Sequence, residues 1–254
     1  MTVFILVRRC LLDLLVPLLL VALFFLVRAP GVAFFIAGPD GAVRAGDPSR
    51  PEVSLMINVD WGEEFIPQIL DVLDQKGVKV TFFVVGGWAK KNPELLKEMS
   101  ARGHEIASHG ELHKLATQLD DATLEWLISQ GITTLSTALG HDPAPLFAPP
   151  AGDCDARVVR AAERFGCATI LWTVDTVDWR KPPAETIVQR AVDKSTNGSL
   201  ILMHPTRPTL DALPAVIDGL RAKGLEPVIV SRAIGLSQGQ ALDMISVTSR
   251  GKYA

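Results

Sequence analysis

The chain has 254 residues, 48% of them hydrophobic and 21% charged, with a formal net charge of −3. That length and apolar content can fill one sizeable core, so a single large domain is the first expectation. A near-neutral charge without a basic excess argues against a nucleic-acid-binding protein, whose affinity rests on a basic surface.

In chain order, the N-terminus comes first. Arg8 and Arg9 precede an apolar run over 10–27, broken only by Asp13 and Pro17 and closed by Arg28. A run of about 18 or more apolar residues can span a bilayer, and arginines before it favour an N-in, C-out orientation. The expectation is a signal anchor over 1–37, one pass through the cell membrane, with the rest of the chain outside. A cleaved signal peptide and secretion is the alternative. Residues 38–52, dense in Gly and Pro and without an apolar period, read as a linker.

From Val53 onward strand and helix signals alternate. Strands are expected over 53–59, 78–85, 105–107, 146–148, 168–174, 199–203 and 226–230. Helices are expected over 63–75, 92–102, 121–139, 155–165, 184–194 and 210–223, several stopped by a glycine such as Gly77, Gly140 or Gly166. The domain reads as 53–236, followed by a C-terminal extension over 237–254. Such alternation implies a parallel sheet covered by helices, and about seven units fit a barrel better than an open sheet.

In a barrel the site lies at the C-terminal ends of the strands. Asp60, His109, Pro149-Pro150, Asp175 with Asp178, and His204 all fall there. The chain has five histidines. His109 and His113, four apart, can meet on one face of a helical turn and hold one metal ion. His104 reads as structural and His141 as a surface residue, while Trp88 and Trp172 read as core or rim packing. Cys154 and Cys167 lack metal-ligand spacing and read as free thiols.

Five ordered motifs add to this: Asn58-Val59-Asp60-Trp61-Gly62, His109-Gly110-Glu111-Leu112-His113, Ala148-Pro149-Pro150-Ala151-Gly152, Asp175-Thr176-Val177-Asp178-Trp179 and Leu202-Met203-His204. With them, the stretch from Val53 to Leu236 resembles the polysaccharide deacetylase family, the NodB-homology carbohydrate esterases, and in particular its membrane-anchored and sporulation-associated members. The resemblance implies a distorted (β/α)7 barrel preceded by one N-terminal hydrophobic helix. It implies a metal-dependent hydrolase that removes N-acetyl groups from amino sugars of peptidoglycan or a related polysaccharide, with a divalent metal, usually zinc, polarising the acetamide carbonyl and a bound water. On this reading Asp60 is the general base, His109 and His113 are metal ligands, His204 is the general acid and Asp178 its partner. Trp179, Leu202 and Pro150 wall the substrate pocket.

The departures from the family pattern matter as much. Trp61 stands where the family carries a metal-binding carboxylate, Ala148 where an arginine holds the base, and Ala151 where an aromatic is usual. Asp60, Glu63, Glu64 and Glu111 are the candidates for a third metal ligand, although Glu63 and Glu64 also read as plain first-turn helix residues. The alternative function is a catalytically inactive, membrane-anchored barrel that binds carbohydrate or protein.

Overall fold

The computed structural model describes residues 36–236. The extension expected over 237–254, and all but the last two residues of the anchor expected over 1–37, lie outside the described residues. Among those described, no helix is long and apolar enough to cross a membrane.

The centre is a curled parallel sheet. It comprises β3 (Glu52–Val59), β4 (Thr81–Val84), β5 (Glu105–Ser108), β6 (Leu146–Phe147), β7 (Ala168–Thr169), β8 (Val174–Asp175) and β9 (Leu200–Met203), in the spatial order β7-β6-β5-β4-β3-β9-β8. A short β10 (Glu226–Pro227) also pairs with β3. Helices cover the outside: α1 (Ile66–Lys76), α2 (Gly86–Lys91), α3 (Pro93–Ala101), α4 (Asp121–Leu139), α5 (Ala156–Arg164), α6 (Ala184–Asp193) and α7 (Arg207–Ala222), with a final turn α8 (Val230–Ala233). The expected distorted barrel is therefore found as a half-barrel.

The period of two along each strand sorts the core. On β3, Val53, Leu55, Ile57 and Val59 join the outer cluster under the helices, with Leu70 and Leu73 of α1 and Leu213 and Ile217 of α7. Met56 faces the barrel interior with Phe83, Ala107, Leu146 and Leu200. Continuing that inward register, Asn58 and Asp60 come out at the C-terminal mouth, and Leu202 and His204 do so on β9.

Three expectations need correction. The strand expected over 168–174 is two short strands at opposite edges of the sheet. Five residue steps separate Thr169 from Val174, so the two edges lie within about 17 Å of each other. An apolar run carries no sign that the chain changes partners midway. The segment read as a linker contains β2 (Val43–Ala45), which pairs with β1 (Ile36–Ala37) and bridges to Ile170 and Ser199. Val43 and Ala45 are buried while Arg44 between them is not; this alternation is short and was masked by the flanking glycines and prolines. Finally, the strand expected over 226–230 ends at Pro227, and α2 was not foreseen.

Candidate functional site

A cleft of about 380 Å³ opens at the C-terminal mouth of the sheet. Asp60, His109, His113, Trp179, Leu202 and His204 line it, so the structure gathers residues spread over 145 positions of sequence. Cleft volumes of about 300–1,000 Å³ suit small ligands or one unit of a polymer. Pro150 is buried and its neighbour Ala151 lines the cleft instead. Asn58, Trp61, Trp172 and Asp175 also line it; the inward period of β3 through Met56 is the signal that would have found Asn58.

On one side stands an ordered acid pair. Asp178 is fully buried. Its Oδ1 accepts from His204 Nδ1 at 2.8 Å, and its Oδ2 accepts from the His204 backbone N–H at 2.6 Å and from Thr209 Oγ1 at 2.6 Å. A buried carboxylate is tolerated because its oxygens are so fully bonded. Thr209 belongs to the first turn of α7, whose cap Thr206 accepts from the Thr209 N–H and shares a 2.8 Å hydroxyl contact with it. Sequence reasoning missed Thr209; its spacing of three from the cap Thr206 is the signal that could have found it. Val177, just before Asp178, sits at φ 54, a costly conformation for a β-branched residue. The Asp175 carboxylate holds it there by accepting the Val177 N–H at 2.8 Å. With Nδ1 committed to Asp178, Nε2 is the free ring nitrogen of His204.

On the other side is the histidine pair. His109 donates from Nδ1 to the Ala148 carbonyl at 2.6 Å, which leaves Nε2 unprotonated, the usual state of a metal-ready or hydrogen-bond-accepting imidazole. Burial, with His113 beside it, pushes its pKa down to about 3. The two rings meet edge to face with centroids 5.2 Å apart. Their loop is fixed by close packing: a side-chain carbon on Gly131 of α4 would overlap the Gly110–Glu111 backbone.

None of the four candidate third ligands completes this pair. Glu111 is buried and engaged elsewhere, with Lys90 Nζ at 2.5 Å and Thr134 Oγ1 at 2.7 Å. Glu63 accepts from Trp88 Nε1 at 3.3 Å, and Glu64 is exposed. Asp60 lies at the solvent edge of the cleft, where partial desolvation lifts its carboxyl above the ordinary value against the pull of His113 and Lys91. Among the described residues, no three His, Cys, Asp or Glu side chains converge to hold a metal ion. A catalytic zinc normally takes three protein ligands, so the donors present do not fit the metal that the resemblance implies.

Trp61 stands at the position where the resemblance expects a metal-binding carboxylate. Its indole lies parallel to the His204 imidazole, 5° between planes and 6.0 Å between centroids, an offset stack. Gly62 allows this: at φ 85 its backbone presses on Pro205, leaving no room for a side chain. Trp61 and Trp179 remain 40% and 48% exposed. Elsewhere, Cys154 and Cys167 are free thiols, as expected.

The family model described as polysaccharide deacetylase matches residues 45–170. The uncharacterized protein YlxY of Bacillus subtilis (strain 168) is 36% identical over 70% of this chain, which spans 56% of that protein's length. A peptidoglycan-N-acetylglucosamine deacetylase of Bacillus cereus is 31% identical over 77% of this chain and 94% of its own. Among solved structures, a CE4 family pseudoenzyme from Bacillus anthracis aligns with a TM-score of 0.75 at 32% identity, covering 78% of this chain and 70% of its own. With the motifs, the half-barrel and these relatives in agreement, the chain belongs to the polysaccharide deacetylase family, the NodB-type CE4 carbohydrate esterases.

Proposed function

We propose that this protein is a non-hydrolysing member of its family that binds N-acetylated cell-wall glycan, held outside the cell membrane by the apolar segment over 10–27. The observation that carries the reading is Trp61. It stands where the resemblance expects the metal-binding carboxylate, and among the described residues no other acid joins His109 and His113. Without a bound cation neither the acetamide carbonyl nor an attacking water is activated, and Asp60 lacks the arginine that the family places at position 148. The ligand class rests on the relatives, several of which are peptidoglycan-N-acetylglucosamine deacetylases, and on a cleft whose aromatic and polar lining suits a sugar.

One observation favours a second reading, a slow deacetylase. The His204–Asp178 pair is intact, with its free nitrogen available as a proton donor. The B. anthracis pseudoenzyme also has a mutant described as having restored enzymatic activity, so loss of turnover in this fold is reversible by substitution. The test is acetate release from chitooligosaccharides and peptidoglycan by the full-length chain supplied with zinc, alongside binding of the same glycans. The proposal expects binding without acetate. Acetate release that disappears in His204→Ala would overturn it and establish the second reading.

A further inference from the structure

Asn58 is a polar group of the cleft whose side chain makes no hydrogen bond among the described residues. It follows Met56 in the inward register of β3, lines the cleft and is 5% exposed. Its Oδ1 is buried and has no hydrogen-bond partner. A buried acceptor left unpaired is destabilising, and the Asn58 side chain reaches the cleft through the rest of its amide, whose Nδ2 makes no hydrogen bond among the described residues. Close by, His109 presents an unprotonated Nε2, since Nδ1 is bonded to the Ala148 carbonyl.

The wall is aromatic. Trp61 lies parallel to the His204 ring and stays 40% exposed, so its indole offers apolar surface to a ligand. A second depression, of about 430 Å³, shares Asp60, Trp61 and His113 with the cleft and continues past Trp88 and Leu112. Trp61, with Asp60 and His113, lines both depressions, so its indole stands on the boundary that a polymer occupying both would cross.

From this we infer that Asn58 and Trp61 form a recognition pair for an N-acetylhexosamine chain: the Asn58 side-chain amide donates from Nδ2 to the acetamido carbonyl, and Trp61 carries the apolar face of a pyranose ring. The substitution that removes the metal carboxylate thus supplies a sugar platform, and recognition needs no metal. This inference rests on the glycan-binding reading above and assigns residues to it.

The test is calorimetric titration of the full-length chain in EDTA with chitotetraose and with cellotetraose, which carries hydroxyls where chitotetraose carries acetamido groups. The wild type is expected to prefer chitotetraose. Trp61→Ala weakens binding of both about tenfold, the scale of one lost aromatic stack. Asn58→Ala erases the preference for chitotetraose, and Asn58→Ser does the same; their retained binding of cellotetraose shows that they are folded. Trp126→Ala, which removes an exposed tryptophan of α4 outside the cleft, changes neither. If the wild type binds chitotetraose and both Trp61→Ala and Asn58→Ala bind and discriminate as it does, the recognition pair is wrong while the glycan-binding reading stands. If the wild type binds neither sugar, that reading falls and the pair with it.

Discussion

The two walls of the cleft differ in what holds them. On the β8–β9 side, Asp178 is bonded to the backbone and ring of His204 and to Thr209 at the start of α7. The same bonds that would orient a catalytic acid also tie Asp178 to the first turn of α7 through Thr209 and satisfy a buried carboxylate. On the β3–β5 side, Asp60 and His113 are exposed and belong to no such network. The fold itself uses the Asp178–His204 pair, whereas Asp60 and His113 are held by little besides their own backbone. Trp61 stands on the side of Asp60 and His113.

Stability measurements can break this comparison. Asp178→Ala strips three donors of their buried acceptor and is expected to cost about 3 kcal/mol, read by urea unfolding. Asp60→Ala and His113→Ala, both exposed, should each stay within about 0.5 kcal/mol of the wild type. Equal losses on the two sides would refute the asymmetry. Next in size, Trp61→Asp supplies a third ligand, a carboxylate oxygen, beside the nitrogens of His109 and His113. Zinc at 100 times its Kd is then expected to stabilise the variant by about 2.7 kcal/mol, seen as a thermal shift that the wild type does not show.

The outcomes of reading the sequence follow the same divide. The half-barrel was legible because its strands and helices carry clean periods, and helix ends such as Gly77 and Gly140 mark their own stops. His109, His113, Asp178 and His204 were legible because motif spacing places them at strand ends. What was not legible depends on contacts distant in sequence. Glu111 looked like a free ligand candidate, but Lys90 and Thr134 claim it from α2 and α4. Thr209 serves Asp178 across 31 positions. Residues 168–174 read as one strand because the switch between sheet edges leaves no mark in an apolar run. Val43 and Ala45 were hidden because two buried positions are too few to show a period.

A smaller effect sharpens the comparison from the opposite end of the barrel. His104 is buried, and its pKa is pushed down to about 4 by burial and by Lys79. It stays neutral in the folded protein while the unfolded chain takes up a proton below its ordinary value of 6.5. Its effect on stability is therefore absent above that pH. Stability falls as pH drops from 6.5 toward 4, by up to about 1.4 kcal/mol per unit. Comparing urea unfolding of wild type and His104→Asn across this window should show a slope smaller by that amount in the variant. An unchanged slope would mean that His104 titrates normally in the folded state. The smallest expected effect is that of Trp61→Ala on stability, within about 0.5 kcal/mol because the side chain is largely at the surface.

The claim on which the rest depends is that Trp61 has taken the metal's third ligand away. It is tested most directly by dialysing the full-length wild-type chain against zinc and counting bound metal per chain, with Trp61→Asp treated identically. The account predicts less than stoichiometric zinc in the wild type and one ion per chain in Trp61→Asp. One tightly bound zinc per wild-type chain, lost in His109→Ala, would contradict it.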